Sequence, residues 1–99
     1  MRIIAVKTLK EFWQKVGNGD SEQPLRAWFS EVKDADWNGP NDIKEQFHSA
    51  SIIGNNRAVF NIKGNKYRLI VAIRYEFKIV YIRFIGTHKK YDSIDARNI

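Results

Sequence analysis

A chain of 99 residues with 43% hydrophobic side chains, among them three Trp, six Phe and four Tyr, is long enough for one modest core and too apolar for a disordered segment. It has no cysteine, which excludes a disulfide framework, thiolate chemistry and zinc–cysteine sites, and two histidines cannot build the usual closed metal set, so neither metal nor cofactor is expected. The net charge of +6 is uneven: residues 1–50 hold seven Lys and Arg against eight Asp and Glu, whereas residues 51–99 hold ten against three, which points the second half toward a polyanion.

No apolar run approaches membrane-span length, and Met1-Arg2 leads into a short strand-like run rather than a secretory leader. A single soluble, cytoplasmic domain over residues 1–99 is expected. The β-branched run RIIAV, Arg2 to Val6, predicts an edge strand. In TLKEFWQKV, Thr8 and Glu11 stand at capping-box spacing, and Leu9, Phe12, Trp13 and Val16 recur as one apolar helical stripe. Gly17-Asn18-Gly19 ends that helix. In DSEQPLRAWFSEVKDA, Asp20 or Ser21 can cap and Pro24 falls in the first turn, where its missing N–H does no harm. Leu25, Trp28, Phe29 and Val32 form the second stripe. A loop from Trp37 to Pro40 then leads to a short helix around Asp42 to Phe47.

From Ser51 onward the apolar period becomes two. Gly64-Asn65, between RAVFNIK and KYRLIVAIRY, is a hairpin signal that sets Lys63 against Lys66. One face then reads Ile62/Tyr67, Phe60/Leu69 and Ala58/Val71, without charge. The other reads Asn61/Arg68, Val59/Ile70 and Arg57/Ala72. A second turn at Glu76-Phe77, with Tyr75 against Lys78, extends the apolar face as Ile73/Val80, Val71/Ile82 and Leu69/Phe84. It puts Arg74/Ile79, Ala72/Tyr81, Ile70/Arg83 and Arg68/Ile85 opposite, so that Arg68 and Arg83 become diagonal neighbours. A slip of one residue in either hairpin would place arginines in the core.

The helical stripes need a surface, and the uncharged sheet face supplies it. The other face keeps Arg57, Asn61, Lys63, Lys66, Arg68 and Arg83, with Val59, Ile70, Ile79 and Ile85 to be covered by the C-terminal tail or a partner. The third strand runs toward the Gly64-Asn65 turn and delivers the GTHKKYD loop, with His88 and Tyr91, beside Lys63 and Lys66. Each residue has a bland reading: lysines at a hairpin tip are usually solvated, and a lone histidine or tyrosine more often caps or packs. Their joint placement on a cationic face with few acids nearby favours a site.

NNRAVFNIKGNKYRLIVAIRY and VYIRFIGTHKKYD resemble the HigB toxins of bacterial type II toxin–antitoxin systems, over roughly Asn55 to Asp92. The first half fits through its short strand, two helices and the WNGPNDIKEQF connection. The resemblance implies a RelE-like α+β fold, with an N-terminal strand and two to three helices packed on one face of a mainly antiparallel sheet. It implies an endoribonuclease that cleaves messenger RNA, typically on the translating ribosome, and a HigA-like helix-turn-helix antitoxin as partner. In that family, Arg68 matches the strand arginine that follows an aromatic residue, and Tyr91 the terminal tyrosine. Arg83 matches a second arginine, with His88 sharing that role, and Lys63 or Lys66 matches the family's lysines.

RNA carries its own nucleophile, so cleavage needs a base for the 2′-OH, a donor for the leaving 5′-oxygen and positive charge on the phosphorane-like transition state. Arg68 and Arg83 suit the phosphate, His88 suits proton transfer, and Tyr91 can stack on a base or take part in proton transfer, with Lys63 completing the catalytic set. Arg57, Asn61, Lys66, Lys89 and Lys90 are the RNA-binding candidates. Two alternatives remain open at this level: a non-catalytic RNA-binding module on the same basic face, and a ParE-like toxin that inhibits gyrase.

Overall fold

The computed structural model describes residues 1–99. The order is β1 (Arg2–Ile4), α1 (Val6–Gln14), α2 (Glu22–Lys33), α3 (Pro40–Gln46), β2 (Ser51–Ile53), β3 (Arg57–Ile62), β4 (Tyr67–Arg74), β5 (Ile79–Thr87) and α4 (His88–Tyr91). The strands form one sheet in the order β1-β5-β4-β3-β2, in which only the β1–β5 pair is parallel. The α+β class and the packing of α1, α2 and α3 on one sheet face are as expected.

Helix α1 starts at Val6, two residues before the capping box in the sequence, and its N-cap is Ala5 at φ 73° without a side-chain cap. The left-handed residue costs roughly 1–2 kcal/mol and a missing cap about 1 kcal/mol. Both are overridden because β1 must pair with β5 from Arg2↔Ile79 to Ile4↔Tyr81 and the chain must turn at once onto the sheet. The helix ends at Gln14 and Lys15 is extended, which takes Val16 out of the apolar stripe and leaves it fully exposed. Leu9 is buried, and Phe12 and Trp13 pack at the margin. In α2, Leu25, Trp28 and Val32 are buried as the stripe predicts, but neither Asp20 nor Ser21 caps by its side chain. Ser21 instead donates its hydroxyl to the Asn18 carbonyl (2.6 Å).

The β3–β4 register is the one read from the alternation, from Arg57↔Ala72 to Ile62↔Tyr67. Lys63 and Lys66 close the turn rather than extend the ladder, the Lys66 N–H donating to the Lys63 carbonyl (3.2 Å). Positive φ falls on Lys63 and Gly64. The second turn closes from Lys78 N–H to Tyr75 O (3.2 Å), again as expected.

Between β4 and β5 the expected pairs hold from Arg74↔Ile79 to Val71↔Ile82, and then a β-bulge intervenes. Arg83 is the extra residue, and beyond it the register is Ile70↔Phe84, Leu69↔Ile85 and Arg68↔Gly86. The expected Leu69/Phe84, Ile70/Arg83 and Arg68/Ile85 pairs are therefore corrected. The bulge puts Ile85 into the main core and moves Phe84 to the opposite face. It also removes the diagonal contact between Arg68 and Arg83.

That opposite face carries a second, smaller cluster. Val59 and Ile70 are covered by Ala96, with Ile94, Ile99, Phe84 and Tyr91 around them. The tail alternative of the sequence reading is thus the one realised. Arg57 and Arg83 both donate to the backbone oxygen of Ile99 (2.9 and 3.2 Å) and tie the tail down.

Candidate functional site

The β3–β4 hairpin tip and the end of β5 meet at one end of the sheet. Tyr67 pairs with Thr87, and the His88 N–H donates to the Lys66 carbonyl (3.1 Å). Strand β5 delivers His88 beside the lysine-flanked turn, where the sequence places it.

After Thr87 the chain forms a single helical turn rather than a loop. Thr87 is its N-cap, the hydroxyl accepting the Lys90 N–H (3.2 Å). The turn sets His88 and Tyr91 three residues apart on neighbouring positions of a helical surface, and brings Asp92 Oδ1 to 3.6 Å from His88 Nε2. His88, Lys89 and Lys90 are exposed, whereas Tyr91 is half-buried against the second cluster. The tyrosine ring is thereby anchored on the same sheet face as Asn61 and Arg68.

Arg68 stands between Asn61 on β3 and Gly86 on β5. Its guanidinium is half-exposed and folded over the hairpin tip, donating to Asn65 O (3.0 Å), Tyr67 O (3.3 Å) and Asn65 Oδ1 (3.3 Å). All its partners are neutral, so the planar cation is positioned while its charge stays available to an anion. Lys63 is exposed on the tip and takes part in none of the ion pairs of the molecule.

Lys66 differs. Its ammonium is ion-paired to Asp20 (2.5 Å) and lies over the Tyr67 ring, 5.4 Å from the centroid. Asp20 accepts from the Tyr67 hydroxyl with its other oxygen (2.5 Å). The hydrogen bond from Lys66, then that from Tyr67, holds the Asp20 carboxyl below the ordinary carboxylate range. The Asp20 carboxylate in turn raises Lys66, while burial first and the Asp20 bond second raise the Tyr67 phenol. Lys66 is thus already neutralised and acts as a clamp on the tip.

Arg57 and Arg83 do not join the patch. Arg57 sits at the far end of β3, opposite Ala72, with its guanidinium on Asn55 O and Ile99 O. Arg83 is at the bulge, three positions from Gly86, and faces the tail and a groove beside α1. The structure therefore brings Arg68, His88, Tyr91, Lys89 and Lys90 to one end, with Asn61 and Lys63 on the hairpin beside them, where both also border a cavity against Pro24 and Trp28 of α2, and sets two expected arginines apart. The sequence offers Asp20 only as a cap and carries no signal of its bonds to Lys66 and Tyr67, because those partners lie 46 and 47 residues away. Sequence reading missed Thr87 as a cap, which a threonine before a helical turn could have signalled.

Similarity to known proteins covers the same residues. A family model described as HigB_toxin, the RelE-like toxic component of a toxin–antitoxin system, matches residues 21–94. The chain belongs to the HigB toxin family. It is 30% identical over 98 residues to the "mRNA interferase toxin HigB" of Escherichia coli strain K12, covering 97% of this chain and 92% of that protein. The "mRNA interferase HigB" of Shigella flexneri shows the same identity and coverage. The HigB match runs from the start of α2 through the hairpin, β5 and α4, and so contains every member of the patch. As a toxin of such a system, this HigB-family chain has an antitoxin as its natural partner. No helix is long and apolar enough to cross a membrane.

Proposed function

We propose that this HigB-family toxin is an endoribonuclease that cuts messenger RNA at the patch formed by Arg68, Lys63, His88 and Tyr91. The observation that carries the reading is the junction at the sheet end, where β5 pairs Gly86 with Arg68 and then hands His88 to the Lys66 carbonyl. A phosphate-binding cation, an imidazole and a phenol are held there by ladder and cap hydrogen bonds rather than by free loops.

The reaction follows from those groups. A base takes the 2′-OH proton, O2′ attacks the adjacent phosphorus, and the P–O5′ bond breaks as an acid protonates the departing 5′-oxygen. A 2′,3′-cyclic phosphate and a 5′-hydroxyl remain. Arg68 holds the charge that develops on the equatorial oxygens, with Lys63 as a second cation on the same tip. His88 is the imidazole of the patch that transfers the proton, with Asp92 Oδ1 3.6 Å from its Nε2 to orient the ring. Tyr91 supplies a hydroxyl and a ring on which a splayed base can stack. Asn61, Lys89 and Lys90 border the patch as RNA contacts.

Arg68, His88 and Tyr91 line none of the cavities of the molecule. In-line alignment of the scissile phosphate therefore comes from outside the protein, which supports the translating ribosome as the place of cleavage. A cytoplasmic location and a HigA-like helix-turn-helix antitoxin go with this reading. The test is primer extension on a translated message and on the same message without ribosomes. Arg68→Ala is expected to lose about 10²–10³-fold in cutting, and His88→Ala about 10²–10⁴-fold, with both variants folded by circular dichroism. Undiminished cutting in both variants would remove the site.

A further inference from the structure

Strand β1 is too short to flank the whole of β5. Its last pair is Ile4↔Tyr81, after which the chain turns at Ala5 into α1. From Arg83 to Thr87 the neighbour of β5 on that side is the helix instead of a strand, and an open groove of about 480 Å³ lies between them. Thr8 and Phe12, one helical turn apart on α1, and Lys15, the extended residue just past the helix end, form the wall on the helix side. Arg83 stands at the bulge end, and Thr87 and Lys90 at the end nearest His88.

The side-chain charge of this groove is of one sign. No carboxylate side chain lines it, and none of the ion pairs of the molecule involves Lys15, Arg83 or Lys90. Arg83 makes one hydrogen bond, to the backbone oxygen of Ile99, and the bulge that removes it from Arg68 is what turns it toward the groove. Thr87 and Lys90 belong to the α4 turn that carries His88 and Tyr91. A chain lying across the patch therefore continues into the groove without leaving the surface.

The geometry points to this groove as a second RNA subsite, in which Lys15, Arg83 and Lys90 hold phosphates of the strand flanking the cleaved bond. The inference rests on the RNA-cleaving reading above. It gives Arg83 an anion to bind outside the catalytic patch and brings Lys15, at the end of α1 and outside the matched family segment, into substrate binding. Each lysine contributes a point charge to the backbone, so the subsite reads length and charge rather than base identity.

The experiment measures anisotropy of a labelled 2′-O-methyl nonaribonucleotide, which lacks the attacking hydroxyl, over a range of salt concentrations. Lys15→Gln is compared with Lys7→Gln, an exposed lysine of α1 that does not line the groove. Lys15→Gln is expected to weaken binding about fivefold and to lower the slope of log K against log salt by about 0.7, the value for one single-strand phosphate contact. Lys7→Gln is expected to bind as the unaltered protein does. Equal behaviour of the two variants overturns the subsite, as does displacement of the RNA by a polyglutamate peptide at lower concentration than by unlabelled RNA. Wild-type protein that binds with the expected Lys15 dependence but leaves a translated message whole supports the groove while refuting the endoribonuclease reading. Cutting by wild type together with Lys15-independent binding does the reverse.

Discussion

The Asp20 carboxylate grips the Lys66 ammonium across 46 residues of chain, and so fastens the α1–α2 connection to the hairpin tip. The same lysine's carbonyl receives the His88 N–H, which makes the ion pair a support under the α4 turn. Asp20→Asn removes the charge but keeps the shape. It is expected to lower the melting temperature at neutral pH and to loosen His88, seen as faster amide exchange of that residue. The pH window follows from the two shifts. Asp20 is lowered from 3.8, so its contribution is present above that value and is lost as pH falls through the depressed folded value. Lys66 is raised from 10.5, so its contribution is present below that value and is lost as pH climbs past the raised one. The difference between wild type and Asp20→Asn should thus be widest between those limits and close in acid. Both groups are partly exposed, so added salt should narrow it as well.

Arg68 is held by neutral acceptors, which leaves a test of geometry against charge. Arg68→Lys keeps the charge but not the planar fork. It is expected to recover no more than about a tenth of wild-type cutting, because a point charge cannot hold two phosphate oxygens at once. Full activity in the lysine variant, measured by primer extension, would show that charge alone suffices there.

Gly86 lies under a ring. A Cβ at that position would collide with Cζ of Phe84. Gly86→Ala is expected to cost about 1–3 kcal/mol by overpacking. Phe84→Leu should relieve part of that cost, so the double variant is expected to be more stable than the sum of the two single losses implies. Urea titration of the four proteins checks it.

The tail is a cover for the second cluster. Val59 and Ile70 are 3% and 0% exposed beneath Ala96 and its neighbours. Removing residues 93–99 is expected to destabilise the fold by about 2–5 kcal/mol as these side chains meet water. Binding of a hydrophobic dye should rise at the same time. Arg57→Ala, which releases the Ile99 oxygen, should reproduce part of the effect without shortening the chain.

Much of this architecture is legible in the residues themselves. The Gly64-Asn65 turn and the strict alternation of Ala58, Phe60 and Ile62 against Val71, Leu69 and Tyr67 leave one register that keeps arginine out of the core. The stripe of Leu25, Trp28 and Val32 is equally local, since a helix places those side chains on one face wherever it forms. The delivery of His88 to the hairpin tip follows from the same two turns, which is why its position beside Lys66 is legible in the sequence.

Other features answer to contacts between distant segments. The bulge at Arg83 exists because the core takes Ile85 while Phe84 covers Gly86 on the other face, a choice that no alternation pattern encodes. It alone separates Arg83 from Arg68. The start of α1 at Val6 obeys the β1–β5 pairing against the local capping signal. Asp20 reaches Lys66 only once the helices lie on the sheet, and the tail finds Ile70 only once the second face is formed. Period and turn chemistry act over a few residues and are written in the chain. Which charges end up paired, and which remain unpaired, depends on distances that exist only after packing.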